Sequence, residues 1–261
     1  APTYSPETST IGTFYYYVVV SQPESDCAVV SDVSALTVNP SPIITTQPIS
    51  SEVCLDGTAT TLEVAYTNGT GTPSYQWYSN TIDDKTSGTA IAGATSDTYD
   101  PPTNSVGTTY YYAEISFSSG GCSKITSDTA RVKINGIPVI SNASITIYSE
   151  ATFTFEPSDI PSNTVPTGTQ FTWSAPTFNP AGSILGASAE TNPQNTISQT
   201  LENTGTSPII VTYTITPATP TCTGTPFILE VTVNPNISSN AMVTNITCFE
   251  VNDGVISTTI E

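Results

Sequence analysis

The chain contains 261 residues, of which 22 are acidic and 4 are basic, giving a formal net charge of -18. A chain this acidic repels phosphate backbones and anionic lipid headgroups, so nucleic acid and a bare membrane surface are excluded as partners. Histidine is absent, which removes the commonest general base and the commonest metal ligand.

The sequence repeats itself with a period near 95 residues. The three tyrosines at 15–17 return at 110–112, an offset of 95. Cys27 returns as Cys122 at the same offset, and a more distant third copy contains Cys222. From each of these cysteines to the asparagine that closes its copy there are 12, 13 and 12 residues. A fixed period of this size is typical of tandem modules.

The repeat predicts the domain organisation. Residues 1–40 are expected to be the C-terminal half of a domain, residues 41–136 and 137–235 to be complete domains, and residues 236–261 to begin a further one. The junctions between them are short and carry proline. Such linkers are semi-rigid spacers, so we expect an extended array of separate domains.

Apolar and polar residues alternate with a period of two, and no window keeps a helical period. In the first complete domain this pattern predicts strands near 43–48, 59–67, 73–79, 108–117 and 128–135. Several short strands bounded by turn residues within about 100 residues favour an immunoglobulin-like sandwich. The predicted fold class is therefore all-β, with tandem β-sandwich domains.

The same alternation assigns the faces of the strands. In residues 41–136, the set predicted to point inward comprises Tyr75, Trp77, Tyr111, Ala113, Ile115 and Phe117. The set predicted to point outward comprises Gln76, Tyr78, Tyr110, Tyr112 and Glu114. In residues 137–235, the predicted core comprises Phe171, Trp173, Ile209, Val211, Tyr213 and Ile215.

The cysteines leave two alternatives open. Cys54 and Cys122 are the one pair within a complete domain, and a disulfide between them would contribute about 4 kcal/mol and imply an oxidising compartment. In an ordinary immunoglobulin topology, however, Cys54 would lie at the end opposite the 118–127 hairpin, too far for a bond. Cys222 has no partner within its own domain.

The end of the chain resembles a known repeat. Residues 245–257 read Asn-Ile-Thr-Cys-Phe-Glu-Val-Asn-Asp-Gly-Val-Ile-Ser. They resemble the opening of the short repeat that characterises the SprB-like gliding-motility adhesins. Glu250 stands where that repeat usually has glycine, and Val255 where it usually has serine. The resemblance implies that residues 236–261 begin a SprB-type repeat domain.

Two further segments extend the resemblance. Residues 137–235 resemble the PKD-like domains of the same adhesins through Thr169–Trp173 and Glu230–Pro235. Residues 41–136 are similar to immunoglobulin-like modules of large exported bacterial proteins, through Tyr75-Gln76-Trp77-Tyr78 and Gly121-Cys122-Ser123 among others. Residues 1–40 are then the C-terminal half of an immunoglobulin-like domain.

The resemblance implies a structural stalk segment of a large cell-surface adhesin that serves surface attachment and gliding motility. It implies export by type IX secretion and display as an extracellular filament associated with the outer membrane. The implied partners are the rest of the same giant chain, a substratum polysaccharide or other surface, and the motility machinery through regions outside these residues. We expect no enzyme activity and no cofactor.

The outward-facing Gln76, Tyr78, Tyr110 and Tyr112 are candidates for a glycan-binding platform. Sugars stack apolar C–H faces on tyrosine rings and bond to polar side-chain atoms. The alternative is cross-strand pairing that stiffens the sheet. On the first interpretation, the chain is a carbohydrate-binding immunoglobulin-like module of an exported polysaccharide-acting protein.

Four carboxylates, Asp83, Asp84, Asp97 and Asp100, are candidates for a structural Ca2+ site, because hard cations take several oxygen ligands. Their spacing matches no known calcium loop, and a solvated acidic surface is the alternative. All four basic residues, Lys85, Lys124, Arg131 and Lys133, fall in the same domain.

Overall fold

The computed structural model describes residues 3–24, 27–119, 124–236, 239–244 and 255–260. Every helix or strand among these residues is a β-strand, so the predicted all-β class is confirmed. Within these ranges, no helix has the length and apolar character needed to cross a bilayer. The chain divides into two compact units, Ala1–Ile134 and Asn135–Glu261. The finer division into four segments stays a prediction.

The first 40 residues form two short antiparallel ladders. Their strands are β1 (Gly12–Tyr16), β2 (Val19–Ser21), β3 (Ala28–Val30) and β4 (Ser34–Val38). β1 pairs with β4 and β2 pairs with β3. The valine- and tyrosine-rich runs favour extended backbone because branched and aromatic side chains fit a pleated surface.

Residues 43–135 contain ten strands. They are β5 (Ile43–Thr46), β6 (Ser51–Cys54), β7 (Leu62–Glu63), β8 (Ala65–Thr67), β9 (Pro73–Asn80), β10 (Thr89–Ala90), β11 (Thr98–Tyr99), β12 (Gly107–Phe117), β13 (Lys124–Thr126) and β14 (Ala130–Asn135). The larger sheet has the order β10-β9-β12-β14-β6, with β13 on β12. The pairs β5-β8 and β7-β11 supply the other strands.

The core of this unit follows the predicted alternation. Trp77, Ala113 and Ile115 are fully buried, and Tyr111 is nearly so. Tyr75 and Phe117 are partly buried and pack against the same cluster. The inward set predicted from the sequence is therefore confirmed.

Residues 143–234 contain eight strands. They are β15 (Ala143–Tyr148), β16 (Ala151–Phe155), β17 (Gln170–Trp173), β18 (Ile184–Leu185), β19 (Glu190–Gln194), β20 (Ile197–Asn203), β21 (Ile209–Ala218) and β22 (Phe227–Asn234). One sheet has the order β15-β22-β21-β17-β19, and the other the order β16-β20-β18. β15 is parallel to β22, and the other ladders between these strands are antiparallel.

The core of the second unit lies between these two sheets. The predicted residues Phe171, Trp173, Ile209, Val211, Tyr213 and Ile215 are all buried in one cluster. The indole Nε1 of Trp173 donates to the carbonyl of Ser188 at 2.9 Å, which satisfies its polar atom. Beyond this sandwich, β23 (Ser239–Thr244) and β24 (Val255–Ile260) form an antiparallel pair.

Candidate functional site

The candidate glycan platform lies on the outer face of β9 and β12. The antiparallel register places Tyr112 directly opposite Tyr78 and Glu114 opposite Gln76. The rings of Tyr78 and Tyr112 stack with centroids 5.0 Å apart and an interplanar angle of 3°. Tyr110 lies two residues before Tyr112 on the same face. The structure therefore brings the four predicted residues to one surface of the sheet.

Tyr112 lies on the predicted outer face, but it is covered there, so the prediction that it is accessible to a sugar is wrong. Its exposed fraction is 2%. The loop 81–88 covers it, and the amide of Gly88 donates to the Tyr112 hydroxyl at 3.1 Å. A Cβ at Gly88 would lie 2.7 Å from the Tyr112 ring, so the close approach requires glycine there.

The loop 81–88 is fixed to the neighbouring strand connection. The Lys85 ammonium forms an ion pair with Asp128 at 2.8 Å, and the Thr129 hydroxyl donates to Asp83. Asp84 holds the loop together internally, because its carboxylate accepts from the amide and hydroxyl of Thr86 at 2.9 and 2.7 Å. Hydrogen bonds from Ser87 and then from Thr86 lower the pKa of Asp84. The cover over Tyr112 thus has several independent contacts.

Tyr78 and Gln76 form hydrogen bonds within the protein. The Tyr78 hydroxyl donates to Glu114 at 3.1 Å, and Lys124 donates to the same carboxylate at 2.6 Å. Burial, followed by the hydrogen bond to Glu114, raises the pKa of Tyr78. The side-chain amide of Gln76 donates to the carbonyls of Trp77 and Ile91, each at 2.8 Å. These contacts favour the cross-strand alternative over an open sugar-binding surface.

All four basic residues form ion pairs within the first unit. Besides Lys85 with Asp128, Lys124 pairs with Glu114 at 2.6 Å. Arg131 and Lys133 both pair with Glu52, at 3.4 and 2.8 Å. Since the sequence holds only four Lys and Arg residues, these pairs occupy every side-chain cation, and the remaining surface charge is acidic.

The predicted calcium ligands do not converge. Asp83 and Asp84 follow β9, whereas Asp97 and Asp100 flank β11 in a different sheet. Asp97 accepts from the Ser96 hydroxyl at 3.0 Å, and Asp100 accepts from the Thr61 hydroxyl at 2.6 Å. In the part of the chain that the structure describes, no three His, Cys, Asp or Glu side chains come together as a metal site.

Cys54 and Cys222 are both disulfide-bonded, whereas Cys27 is an exposed free thiol. Cys54 is the last residue of β6, which pairs with β14. The ion pair between Glu52 of β6 and Lys133 of β14 places Cys54 near the C-terminal end of β14. This is the end of the sheet where Gly107 pairs with Ile134. The 118–127 hairpin begins at the other end of β12, where Ser116 pairs with Lys124, about 30 Å away along the strand. Cys122 lies outside the described residues, so its pairing with Cys54 stays a prediction.

A buried serine is the structural residue that sequence reasoning missed. Ser127 is fully buried, and its hydroxyl accepts from the amide of Ala113 at 2.9 Å and donates to the carbonyl of Asp128 at 2.8 Å. The Ser31 hydroxyl makes the same two contacts, with the Val18 amide and the Asp32 carbonyl, each at 2.9 Å. The repeated Ser-Asp dipeptide is visible in the sequence and is the signal that could have found it.

Comparison with known proteins assigns the modules. Residues 155–237 match the family of PKD-like domains, and residues 45–136 match a family described as a domain of unknown function, DUF8696. No curated protein matches the chain. With the sandwich folds and the disulfide-bonded cysteines, the PKD-like match defines an immunoglobulin-like and PKD-like extracellular module.

Several solved structures align with the chain at low sequence identity and low TM-score. The chain aligns with Rst D1-D2 at 13% identity and a TM-score of 0.43, covering 76% of this chain and 100% of that one. It aligns with Sidekick-1 immunoglobulin domains 1-5 at 14% identity and a TM-score of 0.39, covering 92% of this chain and 49% of that one. It also aligns with SGBP-B of Bacteroides ovatus, in complex with a mixed-linkage heptasaccharide, at 13% identity and a TM-score of 0.29, covering 75% and 48%.

Proposed function

We propose that the chain is a structural stalk segment of a large cell-surface adhesin of the SprB-like gliding-motility type. Its role is to carry binding regions located elsewhere in the parent protein away from the cell surface. Two observations support this proposal: the extracellular type of the modules, and the resemblance of residues 245–257 to the SprB repeat. Type IX secretion and outer-membrane association belong to the same proposal.

The observation that carries the proposal is that two strand ladders of residues 12–38 recur in the same register within residues 107–134. β1 and β4 pair from Gly12↔Val38 to Tyr16↔Ser34, and β12 and β14 pair in the equivalent register. Repetition of a self-contained sandwich is how extended proteins gain length, because each copy needs only its own core. A stalk requires this property and no ligand site.

The surface chemistry suits a spacer. The cations are already paired with carboxylates of the same unit, and the second unit has acidic but no basic residues. Excess negative charge keeps neighbouring filaments apart within about one Debye length, roughly 8 Å at physiological salt. The proposed partners are therefore the rest of the same chain, with substratum polysaccharide and the motility machinery contacted through other regions.

The proposal also holds that the chain is not an enzyme and needs no cofactor. Polar groups of Gln76, Tyr78 and Tyr112 take part in the contacts that hold β9, β12 and the loop 81–88 together. Such groups stabilise a sheet.

A replacement experiment tests the stalk function. Residues 41–235 of the parent protein are exchanged for two unrelated immunoglobulin-like sandwiches of the same length, and cells are scored for attachment and movement. A spacer tolerates this exchange, so we expect both activities to persist at equal surface display. Loss of attachment at normal display would mean that the chain itself contacts the substratum.

A carbohydrate-binding module is the second candidate, and it rests on the partly exposed Tyr78 and Tyr110 on one face of β9 and β12. Glycan-array binding of the whole chain discriminates the two functions. The stalk function predicts no saturable binding at millimolar glycan. Binding that is lost in Tyr110→Ala, but kept in Tyr148→Ala on the second unit, would favour the carbohydrate module.

A further inference from the structure

Residues 12–38 repeat the strand pairing of residues 107–134. Gly12↔Val38 corresponds to Gly107↔Ile134, and the register continues in step through the whole ladder. The next ladder repeats as well, since Val20↔Val29 corresponds to Ile115↔Ile125. The offset is 95 for the first strand of each ladder and 96 for the second. The two segments are therefore the same structural unit.

Side-chain contacts repeat with the backbone. Tyr4 and Tyr16 have ring centroids 5.7 Å apart at 47°, and their equivalents Tyr99 and Tyr111 lie 5.6 Å apart at 43°. The matching contacts of Ser31 and Ser127 add a second agreement. Equivalent residues in the two segments can therefore be compared one by one.

The comparison shows that one copy is covered and the other is not. Ile115 and Ala113 are fully buried, whereas their equivalents Val20 and Val18 are 65% and 60% exposed. Tyr112 is 2% exposed, and its equivalent Tyr17 is 61% exposed. An apolar surface of this kind on a strand is a site for another strand to pair.

The covered copy identifies what fills the site. β9 pairs with β12 from Tyr110 to Phe117, and Trp77 of β9 lies directly opposite Ala113. The Trp77 ring stacks on Tyr99 with centroids 6.0 Å apart at 29°. Among the strands that the structure describes, β1 pairs with β4 and β2 with β3, and no strand takes the place of β9.

An open pocket lies beside the residues equivalent to those around Trp77. Its volume is about 650 Å3, and its lining includes Tyr4, Tyr16, Val18 and Leu36. Tyr4 and Val18 are the equivalents of Tyr99 and Ala113, the residues that contact or oppose Trp77. A volume in this range accommodates a large aromatic side chain.

We propose that Tyr4, Tyr16, Val18 and Val20 form a docking site for a tryptophan-bearing β-strand. The strand is the counterpart of β9, supplied by a segment of the same type as residues 41–97. Its backbone pairs with the open edge of β1 and β2, and its indole enters the pocket against Tyr4. Strand addition of this kind gains affinity from main-chain hydrogen bonds and specificity from the alternate side chains.

The test is a fusion that supplies this strand. A copy of residues 41–97 is placed directly before Thr3 of the full chain, because Thr3 and Thr98 are equivalent in the repeat. Val20→Cys is introduced in a Cys27→Ser background, since Cys27 is an exposed thiol. The readout is the rate at which a maleimide labels residue 20, located by peptide mass spectrometry. We expect the fusion to slow this labelling at least about tenfold.

Two matched variants make the result specific. Val19→Cys lies on the opposite face, equivalent to the partly exposed Glu114, and its labelling is expected to change little in the fusion. A fusion whose added copy carries Trp77→Ala should restore fast labelling of Val20→Cys. Equal labelling of Val20→Cys with and without the added copy would overturn the proposal. Slow labelling in an unfused chain that runs as a dimer would also overturn it, because a second copy would then fill the site.

Discussion

The hydroxyl of Ser127 accepts a hydrogen bond from the amide of Ala113 at 2.9 Å. This contact lies where the partner of β12 changes from β14 to β13. β14 pairs with β12 up to Tyr111, and β13 pairs with β12 from Glu114 onward. Ala113 lies in the gap between these two ladders, so neither strand supplies an acceptor for its amide. The buried hydroxyl supplies the missing acceptor. The same relationship between Ser31 and Val18 shows that the irregularity belongs to the repeated module.

Removal of this hydroxyl should destabilise the first unit. Ser127→Ala leaves the buried amide of Ala113 without its acceptor, which costs about 1–3 kcal/mol. The measurement is the free energy of unfolding of the full chain in denaturant, followed by hydrogen exchange of β12. Ser105→Ala, at an exposed loop position, is the control and should change stability by less than about 0.5 kcal/mol. Equal stability of the two variants would show that water replaces the hydroxyl.

Because each sandwich has its own core, we expect removal of the tryptophan from one core to unfold that sandwich and not the other. Trp77→Ala should cost about 3–5 kcal/mol and unfold the sandwich of residues 43–134, because a fully buried indole leaves a large cavity. Trp173→Ala should do the same to the second core. Hydrogen exchange of the strands around each site measures the extent of unfolding. If either variant exposed the strands of both cores, the two sandwiches would not be separate folding units.

Residue alternation was enough to predict the cores because the side-chain period of a strand fixes the face of every residue. The burial of Trp77, Ile115 and Trp173 follows from this alternation alone. The burial of Tyr112 could not be predicted in this way. It depends on a loop whose position is set by the contact of Lys85 with Asp128, 43 residues away in the sequence.

The polar interior was also beyond sequence reasoning. The Asn203 side chain donates to the carbonyls of Val233 and Ser207 at 2.8 and 2.9 Å and accepts from the Gly205 amide at 2.9 Å. Gly205 and Ser207 are local partners, whereas Val233 lies on β22, 30 residues away in the sequence, and comes beside Asn203 only in the folded sandwich. An asparagine at a strand end reads as an ordinary turn residue until that topology is known.

The cover over Tyr112 should depend on the charge of Asp84. Hydrogen bonds from Ser87 and Thr86 hold the pKa of this carboxyl below its ordinary 3.8. Because the pKa is lower in the folded state, the ionised carboxylate stabilises the folded loop at pH values above the pKa of the unfolded chain. This stabilisation is lost as the pH falls through the pKa of the folded state. We therefore expect the loop to keep its structure at neutral pH and to loosen only below about pH 4.

Asp84→Asn provides the measurement for this expectation. The variant should speed hydrogen exchange of the Gly88 amide at pH 7, because the amide of asparagine accepts more weakly from Thr86 and Ser87. Asp56→Asn, in a different turn, is the control. Exchange at Gly88 that is unchanged by Asp84→Asn would mean that the Lys85–Asp128 ion pair alone fixes the loop.

Disulfide mapping decides between the two alternatives for Cys54. The sequence leaves open whether Cys54 is bonded to Cys122, and the described strands place the start of the 118–127 hairpin about 30 Å from the end of the sheet that carries Cys54. A disulfide spans no more than about 7 Å between Cα atoms. Non-reducing proteolysis of the intact chain, with thiols blocked beforehand, is therefore expected to return Cys54 crosslinked to a cysteine other than Cys122. Recovery of a Cys54–Cys122 peptide would contradict this expectation and show that the two cysteines approach each other.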